Sequence, residues 1–357
     1  MKTVVTVTGI RPDFIRMSEI FKKLDKEFNH ILIHTGQHYD DLLSGIFFDE
    51  LEIRKPDYNL TIGGPGKEHF HQTADLSVSL IELFREKKIN PSIILFLGDS
   101  NSVVSAVALK KEGYKIGHIE AGMRSGDKRM LEEVNRMVCD TCSDLLFVYH
   151  ENYRKKLEKE NIIDGVHVVG NTIVEVANKL IKNNKNFTIR PTNNHIILDV
   201  HRPENFNYPH RLKNVIEFTK WISSVYRLPV ILEFGRAKNK IEEFGIDLGD
   251  IEVVPLMSYK DYMSSVYNSK FIISDSGTAQ EEPAILGTPV LVPRGYTERP
   301  ESVEYNCSMM IDVEESWGED WYDSLKWLQH ETKHIDDAWL GDGTTSTKII
   351  ETLKNSL

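Results

Sequence analysis

The stretch from Ser274 to Glu301, SDSGTAQEEPAILGTPVLVPRGYTERPE, decides the fold. The apolar run before it, Phe271, Ile272 and Ile273, predicts a short buried strand. Asp275, Ser276, Gly277 and Thr278 predict a tight turn that opens a helix. Backbone N–H groups at such a helix start suit a phosphate. Glu281 and Glu282 follow in the first turns, where a carboxylate can accept from a ribose diol. Pro289 to Val292 predicts the next strand, and Arg299 beyond it brings a forked, permanent cation suited to a diphosphate. Taken alone, the segment also reads as an ordinary α/β turn with surface charges.

Outward from this segment the same alternation covers the chain. Strand-like runs fall at Val4–Thr8, His30–His34, Ile93–Leu97, Lys115–Ile119, Leu145–Val148 and His167–Val169, with amphipathic stretches between them. A second series falls at Ile196–Val200, Val230–Leu232, Glu252–Val254, Phe271–Ile273 and Pro289–Val292. Alternating strands and helices argue for parallel sheets covered on both faces. The polar stretch from Asn171 to Asn194, with Pro191, separates the two series. The expected organisation is therefore a first domain over 1–172, a second over 173–335 and a closing helix over 336–357 that packs back on the first. Two doubly wound domains facing one another leave a cleft at the carboxyl ends of their strands, where ligands bind in such sheets.

The 357 residues carry 43 basic and 54 acidic side chains, a formal net charge of −11, which disfavours a broad electrostatic grip on nucleic acid or an anionic membrane. A polyanionic ligand must then be held by a few local Arg residues. The start MKTVVTVTGIRP lacks the layout of a signal peptide, and no apolar run approaches membrane-spanning length, so a cytoplasmic protein is expected. Cys139, Cys142 and Cys307 make no disulfide framework, and the Cys139–Cys142 spacing has no second pair to close a zinc site. Those cysteines are read as structural, and no metal or cofactor is expected.

Polar motifs recur at the strand ends: GIRPD from Gly9, TGQH from Thr35, GDSNS from Gly98, EAGMR from Glu120, LEEVNR from Leu131 and HRPEN from His201. With HIEAGMRS, VVGNT and SDSGTAQEEPAILGTPVL…TERPE, they run in the order seen in the non-hydrolysing UDP-N-acetylglucosamine 2-epimerase family. The chain resembles that family from Gly9 to the closing helix. The resemblance implies two Rossmann-like domains of the GT-B type, a UDP-sugar substrate and a homodimer. It also implies inversion at carbon 2 without NAD: UDP leaves by anti elimination, and the bound glycal takes it back with a proton on the opposite face.

Carried over position by position, the resemblance makes Asp99, Glu120, Glu132 and His201 the catalytic groups. Asp99 and Glu132 would move protons at carbon 2, Glu120 would stabilise oxocarbenium character and His201 would serve the departing phosphate. Arg11, Arg16 and Arg299 resemble the diphosphate and uridine contacts. Ser276, Gly277 and Thr278 match the phosphate turn, Glu282 the ribose ligand, and Tyr262 an aromatic near the uracil. His38, Arg136 and Arg236 complete the implied substrate-binding set. Without the motifs, Asp99 reads as a helix N-cap, His201 as a satisfied loop histidine and Tyr262 as a helix residue packing on the core.

Several positions depart from the family's pattern. Asp13 stands for a Glu, Arg16 for a Lys, Thr278 for a Gly and Leu131 for a Pro. Phe234 stands where relatives carry a His in a region that binds a second, activating substrate molecule, and a phenyl ring donates no hydrogen bond. GDSNS and RMLEEVNR lean towards the branch acting on modified sugars such as UDP-2,3-diacetamido-glucuronate. A GT-B glycosyltransferase, a hydrolysing 2-epimerase and a silent UDP-sugar sensor are the competing readings. A transferase needs one base and an acceptor groove, and a sensor needs no paired acids, so the four retained groups favour the epimerase.

Overall fold

The computed structural model of the chain describes residues 1–36, 45–62, 69–127, 130–184, 187, 191–233, 237–255, 257–315, 318–330 and 335–357. It divides into two compact units, Met1–Val176 with Leu340–Leu357, and Ala177–Trp339.

The first unit is built on β1 (Thr3–Thr8), β2 (Asn29–His34), β3 (Tyr58–Asn59), β4 (Ile93–Leu97), β5 (Ile116–Ile119), β6 (Leu145–Val148) and β7 (Val166–Val168). They lie in the order β3-β2-β1-β4-β5-β6-β7, with every pairing parallel. The second unit holds β8 (His195–Asp199), β9 (Val230–Glu233), β10 (Glu252–Val254), β11 (Ser269–Ser274), β12 (Val290–Val292) and β13 (Ser308–Met310). Their order is β10-β9-β8-β11-β12-β13, again all parallel. In each sheet the direction of winding reverses once, between β1 and β4 and between β8 and β11. Loops leaving the carboxyl ends on either side of such a point diverge and make room for a ligand.

The α/β class and the two doubly wound sheets agree with the sequence. Two strands escaped it, β3 and β13, and both lie at sheet edges. The other two edge strands, β7 and β10, were read from their valines; Tyr58–Asn59 and Ser308–Met310 are two and three residues long and contain no β-branched residue, so neither carries the apolar run of a central strand.

Helices cover the sheets through apolar stripes at three- and four-residue spacing. The helix Arg11–Glu27 buries Phe14, Met17, Phe21 and Leu24. In the second unit Phe218 and Trp321 pack edge to face with centroids 5.1 Å apart, and Trp221 lies 5.5 Å from Trp321. The closing helix Thr345–Ser356 belongs to the first unit. Ser346 N–H donates to Glu175 Oε1 at 2.8 Å, and Thr345 Oγ1 donates to Val169 O at 3.1 Å. Lys354 pairs with Glu27 at 2.7 Å, but both are about half exposed, and such a pair contributes at most about 1 kcal/mol. The buried Ile349, Ile350 and Leu353, at about 1.5–3 kcal/mol each, hold the helix down.

Candidate active site

In the first unit the loops after β1, β4 and β5 and the helix Leu131–Cys142 bring one set of charged side chains together. After β1, the N–H groups of Gly9 and Ile10 both donate to Asp13 Oδ2, at 2.7 and 3.1 Å, and the helix Arg11–Glu27 begins there with Pro12 in its first turn. One turn on, the buried Arg16 donates from Nη1 to Glu120 Oε2 at 2.6 Å. Glu120 leaves β5 with φ of 72°, a left-handed conformation rare for a residue with a Cβ. Its own N–H and that of Ala121 both donate to Phe147 O, at 3.1 and 3.2 Å, which fixes the turn. Holding Glu there costs about 1–3 kcal/mol, the kind of strain that clusters at functional sites.

Asp99, just after β4, pairs with Nη2 of Arg136. The same guanidinium lies 3.8 Å from Glu120 Oε1 and 3.9 Å from Glu133 Oε2. Arg136 has no exposed surface, and among the described residues its Nε and Nη1 have no hydrogen-bond partner. The Glu120 and Glu133 side chains are 5% and 6% exposed, while Asp99 keeps 22%. Asp99 is thus the carboxylate through which this set meets solvent. Burial pushes the Asp13 carboxyl up to about 7 against the pull of its two backbone donors, and nearby Asp99 and Glu120 add to the rise.

The structure separates the two glutamates of LEEVNR. Glu133 is buried, and its carboxylate accepts from Ser125 N–H at 2.9 Å, Ser125 Oγ at 3.1 Å and Gly126 N–H at 3.0 Å. Glu132, one position earlier in the same first turn, is partly exposed. Arg11 is also partly exposed, in the first turn of its helix.

The second unit gathers a different set at the ends of β8, β11 and β12. Asp275 is fully buried and accepts three N–H bonds: from His201 N at 3.0 Å, from Arg202 N at 3.2 Å and from Asn205 Nδ2 at 2.9 Å. The His201 ring places Nδ1 3.3 Å from Asp199 Oδ1 and 3.5 Å from Asp275 Oδ1. Desolvation works against its charge, but the two carboxylates outweigh it and the His201 value is raised above the ordinary one. Asp199 moves the other way: desolvation is overcome by His201 and by the Ser274 hydroxyl, which donates to Oδ2 at 2.8 Å.

The turn after β11 differs from the expected helix start. Thr278–Gln280 is a single 3₁₀ turn, followed by the short helix Glu282–Ile285. Ser276 and Thr278 share a hydroxyl hydrogen bond of 2.9 Å. Gly277 has an ordinary φ of −64°, so its reason is space: a Cβ there would lie 2.3 Å from Arg299 Nη1 and 2.5 Å from Glu298 Oε1. Arg299, expected as a cation for a diphosphate, is held by carboxylates of its own unit. It is buried, with Nε donating to Glu281 Oε1 at 2.6 Å and Nη1 to Glu298 Oε1 at 2.7 Å. Glu282 is buried beside this pair in sequence. Tyr262, on the helix Tyr259–Asn268, packs against a core of Ile197, Val266, Ile272, Val290 and Val292.

His38 and Arg236, with Phe234, lie outside the described residues. Of the sequence candidates, Asp99, Glu120, Arg16 and Arg136 come together in the first unit, while His201 and the Ser276–Thr278 turn belong to the second. Sequence reasoning missed Glu133, Asp199, Asp275 and Glu298. Only Glu133 left a usable signal, its i,i+3 spacing to Arg136 on one helix face.

Two parallel, doubly wound sheets with charged loops at the carboxyl ends of their strands define an α/β enzyme of the GT-B type. More narrowly, the chain belongs to the UDP-N-acetylglucosamine 2-epimerase family, whose family model matches residues 22–354. A UDP-N-acetylglucosamine 2-epimerase of Methanococcus maripaludis is 36% identical over 327 residues, 87% of this chain and 88% of the relative. A UDP-2,3-diacetamido-2,3-dideoxy-D-glucuronate 2-epimerase of Pseudomonas aeruginosa is 30% identical over 363 residues, 98% and 99% of the two chains. The crystal structure of Methanocaldococcus jannaschii UDP-GlcNAc 2-epimerase in complex with UDP-GlcNAc and UDP matches with a TM-score of 0.86 at 30% identity, covering 100% of both chains.

Proposed function

We propose that the protein inverts carbon 2 of UDP-N-acetylglucosamine. A carboxylate takes the carbon 2 proton, the carbon 1–oxygen bond breaks and its electron pair leaves on UDP. The glycal then takes UDP back at carbon 1 and a proton on the other face of carbon 2. Asp99 and Glu132 serve as the proton-transfer pair, Glu120 faces the positive charge that develops on the ring, and His201 serves the departing phosphate. The observation that carries this reading is the Asp99–Glu120–Arg136–Arg16 cluster, whose one more exposed member is Asp99. The raised value of His201 supports a cation beside the leaving group. Ser276, Thr278, Glu282 and Arg11 are assigned to UDP, while Arg16, Arg136 and Arg299 act through the carboxylates they hold.

A second reading replaces the substrate with a diacetamido-glucuronate sugar, and the Pseudomonas relative supports it. Among the described residues no helix is long and apolar enough to cross a membrane. We place the enzyme in the cytoplasm as a homodimer. The exposed Val107, Val134 and Met137 of the first unit supply apolar surface for a second copy, and light scattering on a sizing column tests the assignment.

Proton NMR in deuterated water with each UDP-sugar tests the reaction. Deuterium at carbon 2 together with a new anomeric signal is expected, with UDP-N-acetylglucosamine the best substrate. Asp99→Asn should lower turnover by about 100- to 10,000-fold while UDP affinity persists. Wild-type protein that binds UDP but exchanges no proton in any UDP-sugar refutes the proposal.

A further inference from the structure

Beneath the Asp99 and Glu120 loops lies a second charged group that the proposed chemistry does not use. His118, on β5, is fully buried. Its Nδ1 lies 2.6 Å from Asp140 Oδ1 and its Nε2 lies 2.8 Å from Gly98 O. A carboxylate and a backbone carbonyl only accept, so a ring bonded to both must donate from both nitrogens, which only the imidazolium can do. Asp140, fully buried on the helix Leu131–Cys142, turns its other oxygen to Gly122 N–H at 3.1 Å and to Arg124 Nη2 at 2.7 Å.

The arrangement is a brace. Gly98 immediately precedes Asp99, and Gly122 follows Glu120 by two residues. One histidine–aspartate pair thus ties the loop after β4, the loop after β5 and the helix that carries Glu132, Glu133 and Arg136. We infer that His118 is a positioning residue, held permanently as a cation, that sets Asp99 and Glu120 relative to one another through Gly98 and Asp140.

The surroundings favour that charge. Desolvation opposes it, but Cys139 and Asp140 beside the ring outweigh the desolvation and hold the His118 value well above the ordinary one. Asp140 is held below the usual carboxylate range, its burial outweighed by His118 and Arg124. Arg124 is held in turn by Glu160, which accepts from its Nε at 2.9 Å and its Nη2 at 2.7 Å.

The inference about turnover rests on the epimerase reading, whereas the charge on His118 does not, so the test has two arms. In the first, wild-type protein labelled with 15N-histidine is followed by long-range proton–nitrogen correlation between about pH 6 and about pH 9. The His118 signals are identified by their loss in His118→Gln. Both ring nitrogens should stay of the protonated type throughout. Passage to a neutral tautomer near the ordinary histidine value of about 6.5 overturns the proposal.

In the second arm, His118→Gln should lower kcat about 100-fold, the scale of a 1 Å misplacement, with KM and UDP affinity changed less than about three-fold. Wild-type kcat in that variant overturns the proposal, and so does loss of UDP binding together with turnover. Asp140→Asn removes the carboxylate that holds the charge, so its kcat should begin to fall at a lower pH than that of the wild type as pH rises. A profile parallel to wild type overturns the role. Wild-type protein inactive on every UDP-sugar would sink the epimerase reading alone, and the spectra would still decide the brace.

Discussion

Replacing Asp13 by Asn removes one buried proton and little else. Asn keeps the volume and an oxygen that can accept from Gly9 and Ile10 N–H, as Asp13 Oδ2 does at 2.7 and 3.1 Å. The Asp13 carboxyl stands at about 7 in the folded chain against 3.8 when exposed, chiefly because burial disfavours its charge. A group whose folded value is raised stabilises the fold below its unfolded value, and that stability is lost as pH rises through the folded value. Between pH 5 and pH 8 the native state gives up about two pH units of extra proton binding, or about 3 kcal/mol at 1.36 kcal/mol per unit. Urea unfolding of the wild type and Asp13→Asn at both pH values measures this. Labelling of Cys139, fully buried in the first unit, supplies the signal in a background where Cys142 and Cys307 are serine. All five Trp lie between residues 221 and 339, in the second unit, so their fluorescence is the control. The wild type should lose about 3 kcal/mol more than Asp13→Asn over this range. Equal losses in the two proteins would refute a neutral, buried Asp13.

Gly277→Ala should destabilise the second unit by about 1–3 kcal/mol through overpacking, because the new methyl meets the Arg299–Glu298 pair at 2.3 to 2.5 Å; an unchanged tryptophan transition would rule out that contact. Arg299→Met should cost about 3–5 kcal/mol in the same assay, since it strips a cation from Glu281 and Glu298, both fully buried; weakened UDP binding without lost stability would instead mark Arg299 as a ligand residue. Glu133→Gln keeps shape but weakens the bonds to Ser125 and Gly126, and should lower kcat about ten-fold or less, well short of the loss from Asp99→Asn. Equal losses in the two variants would move Glu133 into the proton-transfer set.

The fold was legible because central parallel strands are apolar on both faces, as in the fully buried Ile93–Leu97. The edge strands β7 and β10 were still read from their valines, whereas Tyr58–Asn59 and Ser308–Met310 are too short and hold no β-branched residue to announce them. In the site, residue types and positions were legible from the motifs, but partners were not. The spacing from Gly277 to Arg299 says nothing of the contact between them, which arises from the fold-back of β12 beside β11. For the same reason Arg299 reads as a free cation in sequence and is a bound one in space. The left-handed backbone at Glu120 was beyond sequence reasoning, since only a glycine would have announced it.

Under the proposed mechanism, burial narrows the choice of proton carriers. Inversion at carbon 2 needs one group to take a proton on one face of the ring and another to return it on the opposite face. Asp13 spends one oxygen on two backbone N–H groups and lies 3% exposed. Glu133 spends both oxygens on the turn at Ser125 and Gly126, and Glu120 is closed against Arg16. The proposal therefore gives none of these three a proton to carry, and leaves Glu120 to act by its charge alone. Asp99, held by Arg136, keeps 22% of its side chain exposed, and Glu132, about 100° around the helix from Glu133, is partly exposed, which is why the proposal takes these two as proton carriers. On the proposed mechanism the buried carboxylates and their arginines have a common use: they would hold Asp99 in one orientation before any substrate arrives, so that little reorganisation is left for the moment of proton transfer.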